Sequence, residues 1–283
     1  MAAIALGLLS SVLWGLSDYL GGLKSRTFPV PVVLAMMYLA SLTVMLAFVA
    51  VRGSPPPPSE NVLAALGAGI VGIVGLSAFY RALAIGTMSI VAPIASTGVA
   101  LPVIVGLIDG DRPGLVRSVG LALAVVGIVL ASREDDQGAA GVRQQRLSVL
   151  LAIVAAFGFG SYFVLAEIAS DGDVAWALVL SRVSAFPLIA TIALVVLRRG
   201  GARPGAAAWA ALAGIGLLDL GANFLFNYAS TIGELSSVSV ASSLYPVTTV
   251  MLAAWLLGER VRGVQRFGVI AALLGVVLIA AGS

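Results

Sequence analysis

The side chains able to do chemistry in this sequence are few, and most lie inside apolar runs. Asp219, Asn223 and Asn227 follow one another at four-residue spacing within an apolar stretch. A helix places residues so spaced on one face, so the three form a polar stripe. Arg182 interrupts another apolar run. A charge at mid-membrane costs about 2.5–3.5 kcal/mol on insertion scales, so each needs a partner or a task. Two readings of Arg182 stand: an ion pair with Asp219, or a bidentate grip on a substrate carboxylate. The stripe also has two readings, the polar wall of a substrate cavity or hydrogen-bond glue between helices. Asp18 follows Trp14 by one helical turn. Trp14 either packs or stacks on a cationic or aromatic substrate. Asp18 either pairs with Lys24 or Arg81 or carries a coupling proton. Glu167 reads as interfacial. In the first half the face matching the stripe holds no acid, and Tyr80 is its clearest polar member.

Hydroxyls and prolines gather in two further runs. One holds Ser89, Pro93, Ser96, Thr97 and Pro102; the other holds Ser236, Ser237, Ser239, Ser242, Ser243, Tyr245 and Pro246. Proline inside a helix removes a hydrogen bond and permits a bend, and nearby hydroxyls can satisfy the freed backbone. Pro93, Pro102 and Pro246 are therefore candidate hinges, and Ser96 and Tyr245 candidate contacts beside them. The alternative is small-residue packing.

Several chemistries are excluded. The chain has no cysteine and no histidine. Zinc sites built on those residues, thiol nucleophiles, Ser-His hydrolysis and His-ligated haem are impossible. No phosphate-binding G-x-x-x-x-G-K-[ST] occurs. The close acid pairs, Asp109 with Asp111 and Asp171 with Asp173, lack a second acidic cluster or a basic phosphate clamp. No cofactor is implied, and an enzyme is the weakest class.

The elements that must carry these residues are membrane helices. Of the 283 residues, 60% are hydrophobic and 10% charged, with mean hydropathy +1.09. A water-soluble domain carries about 25% charged residues. About 20 apolar residues cross a bilayer, and ten such runs are present. They are Ala2–Gly22, Val30–Val51, Val62–Leu83, Met88–Ile108, Leu115–Ser132, Leu147–Ile168, Val174–Leu197, Ala207–Ala229, Ser236–Leu257 and Val261–Ala281. The first lacks a basic leader and is read as a retained helix. The runs are continuous rather than alternating, which excludes a β-barrel. Pro55 to Pro58 form a stiff polyproline linker.

Basic residues give the orientation. With ten spans both termini share a side, which holds three of them: Arg52, Arg112 and Arg117. The other side holds twelve: Lys24, Arg26, Arg81, Arg133, Arg143, Arg146, Arg198, Arg199, Arg203, Arg260, Arg262 and Arg266. The positive-inside rule makes that side cytoplasmic and puts both termini outside. The same scatter explains the net charge of +3 without nucleic acid.

The second half repeats the first. Gly110-Asp111-Arg112 matches Gly258-Glu259-Arg260, and Gly120, Ala124 and Gly127 match Gly268, Ala272 and Gly275. With Val116, Val129 and Leu130 against Val264, Val277 and Leu278, there are eight identities over 21 positions. Ile85-Gly86 matches Ile232-Gly233 at an offset of 147, and Trp14-Gly15 aligns with Phe159-Gly160 at 145. The units are 1–132 and 147–283, joined by a polar cytoplasmic linker, 133–146. Five helices per unit force the units to enter the membrane from opposite sides. Secondary transporters use this inverted repeat because exchanging the conformations of two like halves exchanges the open side.

Two five-helix units, each ending in a Gly-acid-Arg turn and a Gly-spaced last helix, resemble the ten-helix EamA-type members of the drug/metabolite transporter superfamily. The likeness rests on Ile85–Leu130, Ile232–Leu278 and the Trp14-Gly15/Phe159-Gly160 pair, and it covers nearly the whole chain. Asp111 stands where the family usually has Glu. The resemblance implies an all-α basket of two inverted halves around a central cavity. It also implies export or exchange of a small metabolite, amino acid or drug-like solute across an inner or plasma membrane. The expected contacts are Trp14, Asp18, Tyr80, Ser96, Arg182, Asp219, Asn223, Asn227 and Tyr245. The expected partners are the solute, the bilayer and protons as a coupling ion, with a monomer as the working unit. A channel or scaffold without coupled transport is the main alternative.

Overall fold

A computed structural model describes residues 2–101, 104–105, 114–131, 138–170, 173–232, 238, 241–242, 244–261 and 263–281. Its regular elements are helical. They are α1 (Ala2–Ser25), α2 (Val30–Arg52), α3 (Ser59–Ile85), α4 (Met88–Ser96), α5 (Leu115–Ala131), α6 (Gly138–Ser170), α7 (Val174–Arg198), α8 (Ala206–Ile232), α9 (Tyr245–Leu256) and α10 (Gly263–Ala281). A short 3₁₀ turn, Thr97–Val99, extends α4.

Among the described residues six helices, α1–α3 and α6–α8, are long and apolar enough to cross a membrane. The other four apolar stretches are shorter: Met88–Val99, Leu115–Ala131, Tyr245–Leu256 and Gly263–Ile279. The expected span ends at Ile108, Ser132 and Ser236, the candidate hinge Pro102, and the Gly110-Asp111-Arg112 turn lie outside the described residues. The expected linker 133–146 is helical from Gly138 onward. Ala139, Ala140, Arg143, Gln144, Gln145 and Arg146 are strong helix formers, so the polar stretch continues α6 beyond its apolar part. There Gln144 donates to the Ile85 carbonyl and braces the end of α3.

Helix packing obeys the internal repeat. The principal pairs are α3 with α6, α8 with α1, α3 with α7, α8 with α2, α4 with α6 and α9 with α1. Three more join equivalent helices: α5 with α10, α2 with α7, and α4 with α9. Exchanging each helix with the one five places later leaves this set unchanged. The α5–α10 pair also shows direction. Gly120 lies against Ile279 and Gly275, Gly127 against Ala272, Gly275 against Ala124, and Gly268 against Ala131. Advancing along α5 means retreating along α10, so the equivalent helices run antiparallel and exchange contacts reciprocally. Glycine and alanine permit this backbone approach, which supplies packing where lipid weakens the hydrophobic drive.

Each face of the bundle carries a polar tie. Asp173 caps α7, accepting from the backbone N–H groups of Ala175 (2.9 Å) and Trp176 (3.0 Å), and pairs with Arg52 at 2.8 Å. The Trp176 indole donates to the Ser54 carbonyl at 3.2 Å. At the other face Glu259 accepts from the backbone N–H groups of Met88 (3.2 Å) and Ser89 (3.0 Å) and from the Ser89 hydroxyl (3.0 Å). It also pairs with Arg26 at 3.3 Å. The Gly-acid-Arg turn of the second half therefore caps a helix of the first half.

Candidate functional site: a cleft between the two halves

The main cleft encloses about 710 Å³ of space, including the part open to solvent. Its wall draws on α1 (Trp14, Asp18), α2 (Tyr38), α3 (Ala68, Gly69, Gly72, Leu76), α6 (Phe159, Tyr162, Phe163), α7 (Ser181, Arg182), α8 (Asp219, Asn223) and α9 (Tyr245). Both halves contribute, at equivalent places. The repeat offsets pair Trp14 with Phe159, Asp18 with Phe163, Asp219 with Gly72 and Asn223 with Leu76, and all eight line the cleft. The halves differ in chemistry. Carboxylates at Asp18 and Asp219 face an aromatic and small-residue wall on α3 and α6.

Glycines let these helices come close enough to share one cleft. A Cβ at Gly69 would strike the Ser181 carbonyl, so Gly69 seats α3 on α7 beside Arg182. A Cβ at Gly15 would strike the Tyr245 carbonyl and Thr248, so Gly15 seats α9 on α1. The Thr249 hydroxyl secures that contact by donating to the Gly15 carbonyl at 3.1 Å. Trp14 and Tyr245 consequently meet edge to face at 6.2 Å, with Phe226 tilted on Trp14 at 5.6 Å.

Arg182 and Asp219 form an ion pair at 3.4 Å. A second guanidinium nitrogen donates to the Ser181 hydroxyl at 3.3 Å, and the group lies 5.9 Å from the centre of the Tyr38 ring. Its Nε is buried without a partner. Of the two readings of Arg182, pairing is the one present. The amides of the stripe are partly spent on their own helix. Asn223 donates to the Asp219 carbonyl at 2.7 Å and Asn227 to the Asn223 carbonyl at 2.9 Å. The Tyr162 hydroxyl donates to the Asn223 side-chain oxygen at 3.3 Å. Asp18 is 8% exposed, lines the cleft and makes no ion pair with Lys24, Arg81 or any other described residue.

Six of the nine expected contact residues line this cleft: Trp14, Asp18, Arg182, Asp219, Asn223 and Tyr245. Tyr80, Ser96 and Asn227 do not. Tyr80 is fully buried against Gly21 and donates to the Ser17 carbonyl at 3.4 Å. Ser96 is buried and donates to the Pro93 carbonyl at 2.8 Å, so its hydroxyl serves the proline-bearing end of α4. Asn227 opens on a smaller neighbouring cleft. Pro246 sits in the first turn of α9, where a missing N–H costs nothing. The side chain of Glu167 lies outside the description. The sequence reading missed Tyr38, Gly69, Tyr162, Ser181 and Phe163 as cleft residues. The repeat offset carried the signal for Phe163, opposite Asp18, and nothing in the sequence marked Tyr38.

The cleft leans toward one face. The smaller cleft shares Ala68, Tyr162 and Ser181 with it and runs to Ala169, Ser170 and Ala177, at the α6–α7 connection. Toward the opposite face Leu34, Phe79, Tyr80, Leu83 and Met88 are completely buried and form a thick plug.

Comparison with known proteins agrees with this architecture. A solved structure titled "Crystal structure of protein" superposes with a TM-score of 0.68 at 15% identity, covering 98% of this chain and 96% of that one. That likeness is one of fold alone. No curated protein matches the chain significantly. The model of the EamA-like transporter family matches residues 1–133 and 146–281, one stretch in each half. The chain therefore belongs to the EamA-like transporter family, as a multi-pass integral membrane protein of the drug/metabolite transporter superfamily.

Proposed function

We propose that the chain is a secondary transporter that moves a small solute by alternating access, as an exporter or exchanger in an inner or plasma membrane. The observation that carries this reading is the cleft, built from equivalent positions of two antiparallel halves. In such a design, exchanging the conformations of the halves closes one mouth and opens the other. The substrate touches Trp14, Asp18, Asp219, Asn223 and Tyr245, with Tyr38, Tyr162, Phe159 and Phe163 completing the wall. The Arg182–Asp219 pair fixes α7 against α8 beneath it. Units 1–132 and 147–283 rock about the proline-bearing α4 and the proline-started α9. The ten spans place both termini outside, so the cleft in this conformation leans outward. Protons are the proposed coupling ion, and the monomer is the working unit.

The test needs no known substrate. The chain has no cysteine, so Ala68→Cys and Phe163→Cys each supply a single reactive thiol. Alternating access requires an impermeant maleimide to label both positions from either side, in right-side-out and inverted vesicles. Labelling confined to one side would sink the reading.

A further inference from the structure

Asp18 is the one cleft charge among the described residues that no protein group answers. Its carboxylate belongs to a residue more than nine-tenths buried, and it faces the open space. Arg182 cannot answer it, because its guanidinium is committed to Asp219, to Ser181 and to the Tyr38 ring. Two carboxyl groups against one guanidinium leave Asp18 without a counter-charge among the described residues. A buried carboxyl so placed either keeps its proton or takes up a cation, so an occupant that supplies positive charge can exchange with the proton. The surroundings of Asp18 select what kind. Trp14 lies one turn away on the same helix face with Tyr245 against it at 6.2 Å, an aromatic corner suited to a cation. Across the cleft stand Phe159, Phe163 and Leu76, an apolar wall.

We infer that this cleft recognises organic ammonium compounds with an apolar body, the ammonium on Asp18 within the Trp14–Tyr245 corner and the body against Phe159, Phe163 and Leu76. The inference rests on the cleft being the transport site and specifies its substrate class. Carboxylate solutes are disfavoured by the same geometry. Both terminal nitrogens of Arg182 are engaged, and its remaining nitrogen is buried.

Binding to purified protein, read by calorimetry, tests this without any flux. The probes are phenethylammonium, its uncharged counterpart 2-phenylethanol, 3-phenylpropionate and sodium chloride. The ammonium binds about tenfold or more tightly than either organic counterpart, because a charge-assisted contact is at stake. Asp18→Asn abolishes that preference, whereas Asp18→Glu keeps it with reduced affinity. A thermal melt of each variant separates lost binding from lost folding, and the Glu variant carries the test if the Asn variant fails to fold. Equal binding of the alcohol and the ammonium overturns the inference. So does an Asp18→Asn protein that folds and keeps the preference. Sodium binding that depends on Asp18, with ammonium binding indifferent to it, assigns the carboxylate to an inorganic cation and overturns it too. One-sided cysteine labelling with intact ammonium selectivity would refute alternating access and leave the binding site standing.

Discussion

Arg182 is held on three sides: Asp219 at 3.4 Å, the Ser181 hydroxyl at 3.3 Å and the Tyr38 ring at 5.9 Å. Only 6% of its side chain is exposed, against 21% for Asp219. Removing one partner of a buried pair strands the other, at a typical cost of about 3–5 kcal/mol. Asp219→Asn strands Arg182, the drier member, so it should fall at the upper end of that range, and Arg182→Met, which strands the wetter Asp219, at the lower end. An apolar replacement of both, Arg182→Met with Asp219→Leu, should recover most of the loss because no charge is left unpaired. Thermal denaturation of the two single variants and the double variant in one detergent checks this. Additive losses would show that the pair is not a coupled unit. The expected companion result is loss of transport in Asp219→Asn and in the double variant alike, since both remove a cleft carboxylate.

At the scale of the element, short stretches of sequence settle how helices meet. Gly127 faces Ala272, and its repeat partner Gly275 faces Ala124. The two contacts are the same contact seen from each helix, so Gly127→Ala and Gly275→Ala should lower the melting temperature by similar amounts. A large drop in one and none in the other would contradict the reciprocal packing. Gly214, where a Cβ meets nothing within 4 Å, supplies the control: Gly214→Ala should be neutral or slightly stabilising. Glu259 acts as a remote cap, satisfying two N–H groups at the start of α4. Loss of a cap typically costs about 0.5–2 kcal/mol, so Glu259→Ala should destabilise by about that much and Glu259→Gln by less. The same melts resolve it. Pairing of helices from sequence was limited to the Gly-xxx-Ala stripes, which mark a packing face without naming its partner. That α5 and α10 pack on each other follows from the two halves assembling face to face.

At the scale of the whole molecule, the principal packing pairs are unchanged when the halves are exchanged, and the equivalent helices α5 and α10 run antiparallel. The proposed ten-span topology puts both chain ends on the side poor in basic residues. A reporter that needs export, such as alkaline phosphatase, should therefore be active when fused to the C-terminus, and a reporter that needs the cytoplasm should be silent there. In the Ala202→Cys variant, the thiol in the α7–α8 connection should be protected from impermeant reagent in right-side-out vesicles. The Ser59→Cys thiol, at the exposed start of α3, should react. The opposite pattern would reverse the orientation and with it the outward lean of the cleft.

Hydropathy determined by itself that this is a helical membrane protein, because apolar runs of span length have no other stable solvent. Repetition determined that it has two halves, and the reading of five runs in each predicts that they are inverted. The absence of cysteine and histidine removed whole classes of chemistry. The polar stripe and Arg182 were legible because a charge in an apolar run is costly wherever it is placed. Which of these residues share a cavity was left to the tertiary structure. Asp219, Asn223 and Asn227 sit on one helix face, yet Asn227 falls outside the main cleft because α3, α6 and α7 close around it. Tyr38 looks like an ordinary core residue until α7 lays a guanidinium beside its ring. Asp18 had local cations in Lys24 and Arg81, but only the assembled bundle turned it toward the cleft and left it without an ion-pair partner among the described residues. Spacing along a chain fixes the face of a helix; what that face meets depends on how every other helix packs.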